Sequence, residues 1–486
     1  MAQAARPQRG KLTEGPIGST LLKFALPTLA SSIVQSLNGT VNAIWVGRFL
    51  GEDALAATSN ANMVMFLLIS FVFGFGMAAT ILVGQAFGKN DLDQARRVVG
   101  TTAGAFLLIS AIVATLGYFL APTILHGLGT PPSATPLALA YLRVIFIAMP
   151  GLLLLTMLMM SLRGAGDSMT PLWFMLVAVV LDSGLNPVFI LGLGPAPKLG
   201  IAGSATATAI ANYTALIGLI AFIYIRDLPL RLRGNEFRYL WCELKILKTI
   251  IIKGLPMGIQ MIVISLSGLA LVSLVNGQGV DTAAAFGVAM QLWTYVQMPA
   301  MALGAAVSAM TAQNIGARLW DRVGAITRSG IIYSVGITAV LVVLMTIADR
   351  SVMALFMGSD SPALPIARHI HLLATWNFIL FGVTMVLFAT VRANGAVWGP
   401  LVILCVGLLP VRFGFIFATR HWLGADSIWL SFPASSLANL LLSVGYYLHG
   451  GWKKARMAGE EPCPEEETRE EALATREAGG ALNPAG

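Results

Sequence analysis

The chain has 486 residues, of which 56% are hydrophobic and only 11% are charged, and its formal net charge is +8. A soluble domain carries about 25% charged residues, so this composition excludes a water-soluble globular protein of this size. Lipid is therefore expected to be the solvent for most of the surface. Cys242, Cys405 and Cys463 are far apart and form no CxxC pair, so neither a disulfide framework nor a zinc site is predicted.

Apolar segments long enough to cross a membrane recur along the whole chain. A helix that crosses the hydrocarbon needs about 20 mostly apolar residues. Twelve such segments predict an all-α membrane protein, and because the number is even, both termini are expected on one side. The predicted spans are 20–45, 55–84, 98–121, 136–161, 170–192, 201–225, 248–275, 283–312, 325–348, 366–390, 398–419 and 427–450.

The positive charges indicate which side that is. Residues 1–19 form a polar, basic segment, and no apolar run with a small-residue cleavage site follows, so no removable signal peptide is predicted. Lys and Arg collect in every second loop and in the linker 226–247, as in cytoplasmic loops. Both termini are therefore predicted to be cytoplasmic, with residues 451–486 as a disordered acidic tail. The opposite loops hold Arg48, Lys198, Arg350, Arg368 and Arg420.

The two halves of the chain, 20–225 and 248–450, resemble each other at nearly constant spacing. Matches in register within one residue indicate a duplication. Because each half has an even number of spans, the two six-helix lobes are expected to be related by a pseudo-two-fold axis along the membrane normal, with a cleft between them. The matched pairs are Pro27 and Pro256, Asp53 and Asp281, Gln85 and Gln313, Arg163 and Arg392, and Pro171 and Pro400.

Four stretches carry a family resemblance: VNAIWVGRFLGEDALAA, GQAFGKNDLDQARRVVG, SLRGAGDSMTP, and LNPVFILGLG followed by LGIAGSATATAI. Over about residues 18–450 the chain resembles the multidrug and toxic compound extrusion family, in its bacterial NorM and DinF branch. The resemblance implies a monomer in the bacterial inner membrane that exports cationic or amphiphilic organic compounds by alternating access, in exchange for inward H+ or Na+. It implies no enzymatic activity, no cofactor and no nucleic-acid partner.

Asp182 is the one acidic residue, of 23 in the chain, that lies well inside a predicted span. A charged Asp at the bilayer centre costs roughly 2.5–3.5 kcal/mol, and burial disfavours the charged form of a carboxyl group. The side chain is therefore expected to face a cavity or to be neutral part of the time. Such a group suits ion coupling. A carboxylate satisfied by hydrogen bonds between helices is the alternative.

The residues after Asp182 depart from the family pattern. Asn186 lies one helical turn further on and shares a helix face with the acid. Pro187 has no N–H, so the carbonyl of Ser183 is expected to lose its helical partner, which predicts either a free ligand beside the acid or a packing bend. The usual span-five motif is Asn-x-x-x-Asp-Pro, so acid and amide are exchanged here. The usual acid of span one is replaced by Asn42.

One carboxylate among amides and hydroxyls is a poorer Na+ site than two carboxylates, so H+ is favoured as the coupling ion and Na+ stays open. Asp182, Asn186 and Asn42 are the predicted ion-coupling residues. The resemblance implies that further polar residues line the ion or substrate chamber, although bonding between helices, or near a helix end for the arginine, is the alternative. These lining residues are Asn38, Thr208, Gln260 and Arg412.

Other functions find less support in the sequence. No GxxxxGK[ST] phosphate loop is present, which argues against ATP as the energy source. A lipid-linked oligosaccharide flippase of the same superfamily is the alternative function. It would need a basic cavity for diphosphate, whereas the deep spans offer only Arg412 and Arg143. His369 and His371 are two residues apart, so they point to different helix faces, and no metal site is predicted.

Overall fold

A computed structural model describes residues 12–127, 135–241, 243–358 and 360–457, with only some of the side chains between 52 and 71. The described residues contain no β-strand, and nearly all of them are helical. The α-helices are α1 Ile17–Leu50, α2 Glu52–Gly88, α3 Leu92–Gly127, α4 Thr135–Gly164, α5 Met169–Leu191, α6 Ile201–Ile225, α7 Leu244–Asn276, α8 Val280–Gly316, α9 Trp320–Ile347, α10 Asp349–Met357, α11 Ala363–Ala374, α12 Asn377–Ala393, α13 Trp398–Val406, α14 Arg412–Leu423 and α15 Asp426–His449.

The predicted all-α membrane fold is confirmed. Within the described residues, ten helical segments are long and apolar enough to cross a membrane, and the bent pair α11 and α12 makes an eleventh. The remaining predicted span, 283–312, lies inside α8, which is long enough at 37 residues but less apolar. α8 tolerates this composition because its last turns are buried among other helices. Phe119, Val180 and Ile217 are exposed by 72, 68 and 66%, as expected for side chains that face lipid.

Span ten differs from its prediction as one helix over 366–390. It is broken after Ala374, and α11 and α12 meet at an angle of 44°. The Thr375 hydroxyl at the break accepts a hydrogen bond from the Trp293 indole at 2.8 Å and lies 2.7 Å from His371 Nδ1. His369 points elsewhere, to Asp426 at 2.8 Å. Side-chain bonding from α8 therefore holds the bend, and the two histidines lie apart.

Span eleven contains one turn of π-helix. Residues 407–411 join α13 to α14, and Pro410 lies within that turn. A π turn accommodates one residue more than an α turn does. The span therefore stays continuous across the membrane, while side chains after the turn occupy positions that belong to the preceding residue in a regular helix.

The linker predicted at 226–247 is not a plain polar connector. Residues 234–241 form a 3-10 helix that packs on α3. A Cβ on Gly104 would lie 1.9 Å from the Leu240 carbonyl oxygen, so only glycine permits this approach. Tyr239 donates a hydrogen bond at 2.7 Å to Asp93, which precedes the predicted span, and this bond, with Arg97 nearby, holds the pKa of Asp93 below its ordinary value. The linker is therefore attached to the first lobe.

The predicted tail begins later than 451. Residues 451–454 form a short 3-10 helix, and Trp452 is only 2% exposed. The Asn394 amide donates to the carbonyls of Trp452 and Lys453 at 3.0 and 3.1 Å. The acidic remainder, 458–486, lies outside the described residues, as does the N-terminal segment up to residue 11.

The first span of each half packs across to the other half. Leu21 and Phe24 of α1 share an apolar cluster with Leu303 and Met310 of α8. α7 packs on α2 in the corresponding way. The two predicted lobes are thus joined by crossed helix pairs, and these contacts lie toward the end of the molecule where α1 begins. We call this the terminal end.

Two glutamines make matching bonds between the lobes at the terminal end. Gln85 Nε2 donates to the carbonyl of Ala393, the last residue of α12, at 2.8 Å. Gln313 Nε2 donates to the carbonyl of Gly164, the last residue of α4, at 3.0 Å. Because Gln85 and Gln313 are one of the matched pairs of the repeat, the duplication has produced the same contact twice.

Glycine allows α2 and α8 to touch at this point. A Cβ on Gly88 would lie 1.9 Å from the Gln313 carbonyl oxygen, and one on Gly316 would lie 2.1 Å from the Gln85 carbonyl oxygen. Real Cβ atoms do not approach so closely. The two lobes are therefore in direct backbone contact at the terminal end, where the cleft between them is closed.

Gly88→Ala is expected to push α2 away from α8 and to lower the free energy of unfolding by about 1–3 kcal/mol, as overpacking does elsewhere. Gly336→Ala is the matched control, because a Cβ there meets nothing within 4 Å. Titration with a denaturing detergent, followed by circular dichroism, measures both. Equal stability of the two variants would contradict the close contact.

Candidate functional site

Asp182 lies in the middle of α5, and its side chain is only 2% exposed. Its carboxylate faces α1, which packs beside α5. Asn38 Nδ2 donates to Asp182 Oδ2 at 2.8 Å, and Asn42 Nδ2 donates to the same oxygen at 2.9 Å. The two amides are one helical turn apart, so α1 presents both to a single carboxylate oxygen.

The other carboxylate oxygen is bonded from α6 and from α5 itself. Thr208 Oγ1 donates to Asp182 Oδ1 at 2.9 Å. Asn186 Nδ2 lies 3.3 Å from the same oxygen, and it also donates to Asn42 Oδ1 at 2.8 Å and to the Asp182 carbonyl at 2.9 Å. We call Asp182, Asn38, Asn42, Asn186 and Thr208 the carboxylate centre.

All four donors of the carboxylate centre are neutral. No ion pair is formed by Asp182 within the described parts of the chain, so its charge is met by dipoles alone. Two amide oxygens of the centre, Asn38 Oδ1 and Asn186 Oδ1, are buried with no hydrogen-bond partner. The centre therefore combines a satisfied anion with two unused acceptors.

Three half-buried side chains cover Asp182. Asn38, Asn42 and Thr208 are half-buried, whereas Asp182 and Asn186 are buried. The carboxylate thus lies one side chain beneath the accessible surface. α5 continues through Pro187 to Leu191, so the predicted bend does not end the helix.

The structure separates the remaining predicted residues from the carboxylate centre. Gln260 is buried near the terminal end, where its Oε1 accepts a bond from Arg392 at 3.3 Å. Arg412 lies in the second lobe and donates to Ser435 Oγ from Nε at 3.1 Å and from Nη2 at 2.9 Å. Its Nη1 donates to Ser267 Oγ at 3.3 Å.

One neighbour of the carboxylate was missed by the sequence analysis. Tyr141 of α4 is buried, and its hydroxyl lies close enough to Asp182 to interact with the carboxylate charge. A single tyrosine in an apolar span gives no signal in the sequence, because most such residues only fill the core. On α6, Thr206 bonds to its own helix at the Ala202 carbonyl, so Thr208 alone of these two threonines reaches the acid.

One family model matches the chain twice, once in each half. The MatE model matches residues 27–188 and again residues 256–417, and the second range is displaced by the same amount at both of its ends. The two ranges cover more than half of the chain. The chain belongs to the multidrug and toxic compound extrusion (MATE) family. It is therefore a multi-pass membrane protein of a transporter family, and the two matched ranges confirm the predicted repeat.

Relatives of this MATE protein are similar over nearly their whole length. It is 36% identical over 449 residues to "Probable multidrug resistance protein YoeA" of Bacillus subtilis, which covers 92% of this chain and 96% of the relative. It is 30% identical to "Probable multidrug resistance protein YpnP" of the same organism, over 92% of this chain and 98% of the relative.

Solved MATE structures share the fold. "Crystal structure of MATE in complex with MaL6" matches with a TM-score of 0.83 at 21% identity, over 92% of this chain and 98% of that one. "Outward-facing conformation of a multidrug resistance MATE family transporter of the MOP superfamily" matches with a TM-score of 0.80 at 20% identity, over the same shares of the two chains.

Asn42→Leu is expected to leave the buried carboxylate one donor short and to remove one of the acceptors of the Asn186 amide. The loss should lower the free energy of unfolding by about 1–3 kcal/mol, measured by detergent-induced unfolding. Asn212→Leu is the control, because among the described residues Asn212 bonds only to the Thr208 carbonyl of its own helix. Equal losses in the two variants would show that the bonds to Asp182 add no stability.

Proposed function

We propose that this MATE protein is a secondary antiporter of the bacterial inner membrane, with both termini cytoplasmic. It exports cationic or amphiphilic organic compounds in exchange for inward H+. The names of YoeA and YpnP, both probable multidrug resistance proteins, support export of several compounds. The structure of the carboxylate centre supports ion exchange.

The observation that carries the proposal is the isolated charge of Asp182. An anion at this depth is costly, and its four donors are neutral. A cation that reaches Asp182 therefore lowers the cost of keeping it in the membrane. A proton does this with the least rearrangement, because it needs one oxygen atom and no coordination shell.

The Thr208 hydroxyl can either donate a hydrogen bond to the carboxylate or accept one from it. Its hydroxyl has two acceptors, Asp182 Oδ1 at 2.9 Å and the Ser204 carbonyl at 3.2 Å. When a proton binds Oδ1, the Thr208 hydrogen turns to Ser204, and the new O–H of Asp182 donates to Thr208 Oγ1. No hydrogen bond of the pair is lost in either state, so proton exchange stays reversible.

Na+ is the second candidate ion. The unused Oδ1 atoms of Asn38 and Asn186 are oxygen ligands next to a carboxylate, which a hard cation prefers. However, the amide N–H groups point at Asp182 in this structure. Na+ would need those amides to turn, whereas a proton does not, and this difference favours H+.

The closed terminal end fits one state of an alternating-access cycle. In the proposed orientation this end faces the cytoplasm, so the cleft is available from the outside. An ion from the outside then reaches Asp182 by passing the half-buried side chains of Asn38, Asn42 and Thr208. Separation of α2 and α8 at Gly88 and Gly316 would open the cytoplasmic side.

Asp182→Asn is expected to abolish dye efflux driven by an imposed H+ gradient in proteoliposomes, because an amide cannot release a proton. Asp281→Asn, at an exposed acid of α8, should retain efflux. Repeating the assay with an imposed Na+ gradient identifies the ion. Full efflux by a folded Asp182→Asn protein would refute the coupling role.

Thr208→Val is expected to slow H+-driven efflux by about tenfold, because the valine provides no oxygen that accepts the Asp182 proton. Thr206→Val, two residues away on the same helix, removes a hydroxyl whose one bond within the described chain is to the Ala202 carbonyl. Initial efflux rates in the same proteoliposomes compare the two. The reversible-donor mechanism fails if both variants retain wild-type rates.

A further inference from the structure

The 3-10 helix of the linker, residues 234–241, uses one of its three faces to pack on the first lobe. A 3-10 helix has three residues per turn, so residues i and i+3 share a face. Glu236 and Tyr239 share the face that meets α3. Glu236 accepts a bond from Arg96 at 2.8 Å, and Tyr239 lies against Gly100. We call residues 234–241 the linker helix.

The other two faces of the linker helix point away from the protein and carry large apolar side chains. Phe237 and Leu240 share one face, and Arg238 and Trp241 share the other. Trp241 is 89% exposed and Phe237 is 48% exposed. Tryptophan is enriched where lipid meets water, because its ring is apolar and its N–H is polar. These side chains are therefore typical of a helix at the membrane surface.

The linker helix lies at the depth where the lipid-facing part of α3 begins. The Leu240 carbonyl meets α3 at Gly104. Beyond that point, the first exposed apolar side chains of α3 are Leu107 and Leu108. One helical turn separates the two levels, which is about 5–6 Å. Trp241 follows Leu240 in the chain, so its ring lies near the boundary between head groups and acyl chains.

The first turns of α7 continue this surface. Leu244, Lys245, Lys248, Ile251 and Ile252 are all exposed, and their spacing places them on one stripe of the helix. The two isoleucines lie within the predicted span and face lipid. The two lysines precede them by about one and two turns, which is the level of the lipid head groups.

The cations of this surface have no carboxylate partner within the described residues. They are Arg238, Lys245 and Lys248. Three neighbouring carboxylates are already paired: Arg97 lies 2.7 Å from Asp93 and 3.8 Å from Glu243, and Glu236 is paired with Arg96. Phosphate groups are complementary to such cations. Anionic lipids attract Lys and Arg that lie next to a membrane span.

We propose that the linker helix and the first two turns of α7 form a binding surface for an anionic phospholipid. Arg238, Lys245 and Lys248 bind its phosphate, and the Trp241 ring lies beside the upper part of its acyl chains. The linker helix is attached to the first lobe and α7 is the first helix of the second, so lipid bound here contacts both lobes. The inference does not depend on which compound or ion is transported.

The test uses the purified full chain in vesicles of equal parts phosphatidylglycerol and phosphatidylcholine. Bromine atoms on the upper acyl chain quench tryptophan fluorescence on contact, and either one lipid or the other carries them. The Trp241 signal is the difference between the wild type and Trp241→Phe. Its quenching should be about twofold stronger, or more, when phosphatidylglycerol carries the bromine.

A triple variant, Arg238→Gln with Lys245→Gln and Lys248→Gln, should be quenched equally by the two lipids. Each charge lost near the surface lowers the affinity for anionic lipid by about fivefold. All three side chains are exposed, so the substitutions remove no buried contact. A matched control with the same loss of net charge should keep the preference. It replaces three exposed cations of the opposite loops, Lys198→Gln, Arg350→Gln and Arg420→Gln.

A preference for phosphatidylglycerol that the triple variant loses and the control keeps supports the inference. Equal quenching of the wild type by the two lipids overturns it, and so does an equal loss of preference in the triple variant and the control. If neither brominated lipid quenches Trp241, something other than lipid covers this surface, such as a second copy of the chain, and the inference is wrong.

Discussion

A carboxylate that leaves water has to recover, from the protein, the hydrogen bonds that water gave it. Asp182 recovers four of them, and the donors come from α1, α5 and α6. The positions of three helices are therefore tied to the charge on one side chain. Neutralisation of that charge, as the proposed antiport requires, would weaken the interaction that holds the donors, so the proposal links ion binding to helix position.

The two lobes share some features and differ in others, and the location of each feature explains which are shared. At the terminal end, Gln85 and Gln313 still make the same bond in each direction. That contact lies between the lobes, so both copies must fit one interface. Asp182 and Arg412 each lie inside one lobe, where the neighbours could change independently. Opposite charges in equivalent places are the result.

The sequence alone predicted the fold, the duplication and the identity of the buried acid, because charge is rare in apolar spans and helical spacing is regular. It also predicted that Asn186 accompanies Asp182. Thr208 was indicated by the family resemblance alone, because Thr206 and Thr208 are both polar and only the rotation of α6 decides which of them reaches the acid. The bend at Thr375 depends on a bond from a distant helix, and such pairings leave no local pattern.

The extra residue of the π turn in span eleven changes how the sequences of the two halves align. If the two halves are aligned without a gap inside span eleven, Asp182 aligns with Val411. The alignment then pairs a polar residue of the first half with an apolar residue of the second half. The π turn at 407–411 moves the register of the second half by one residue, and Arg412 then aligns with Asp182. Insertions absorbed within a membrane helix therefore conceal related sites from residue-by-residue matching.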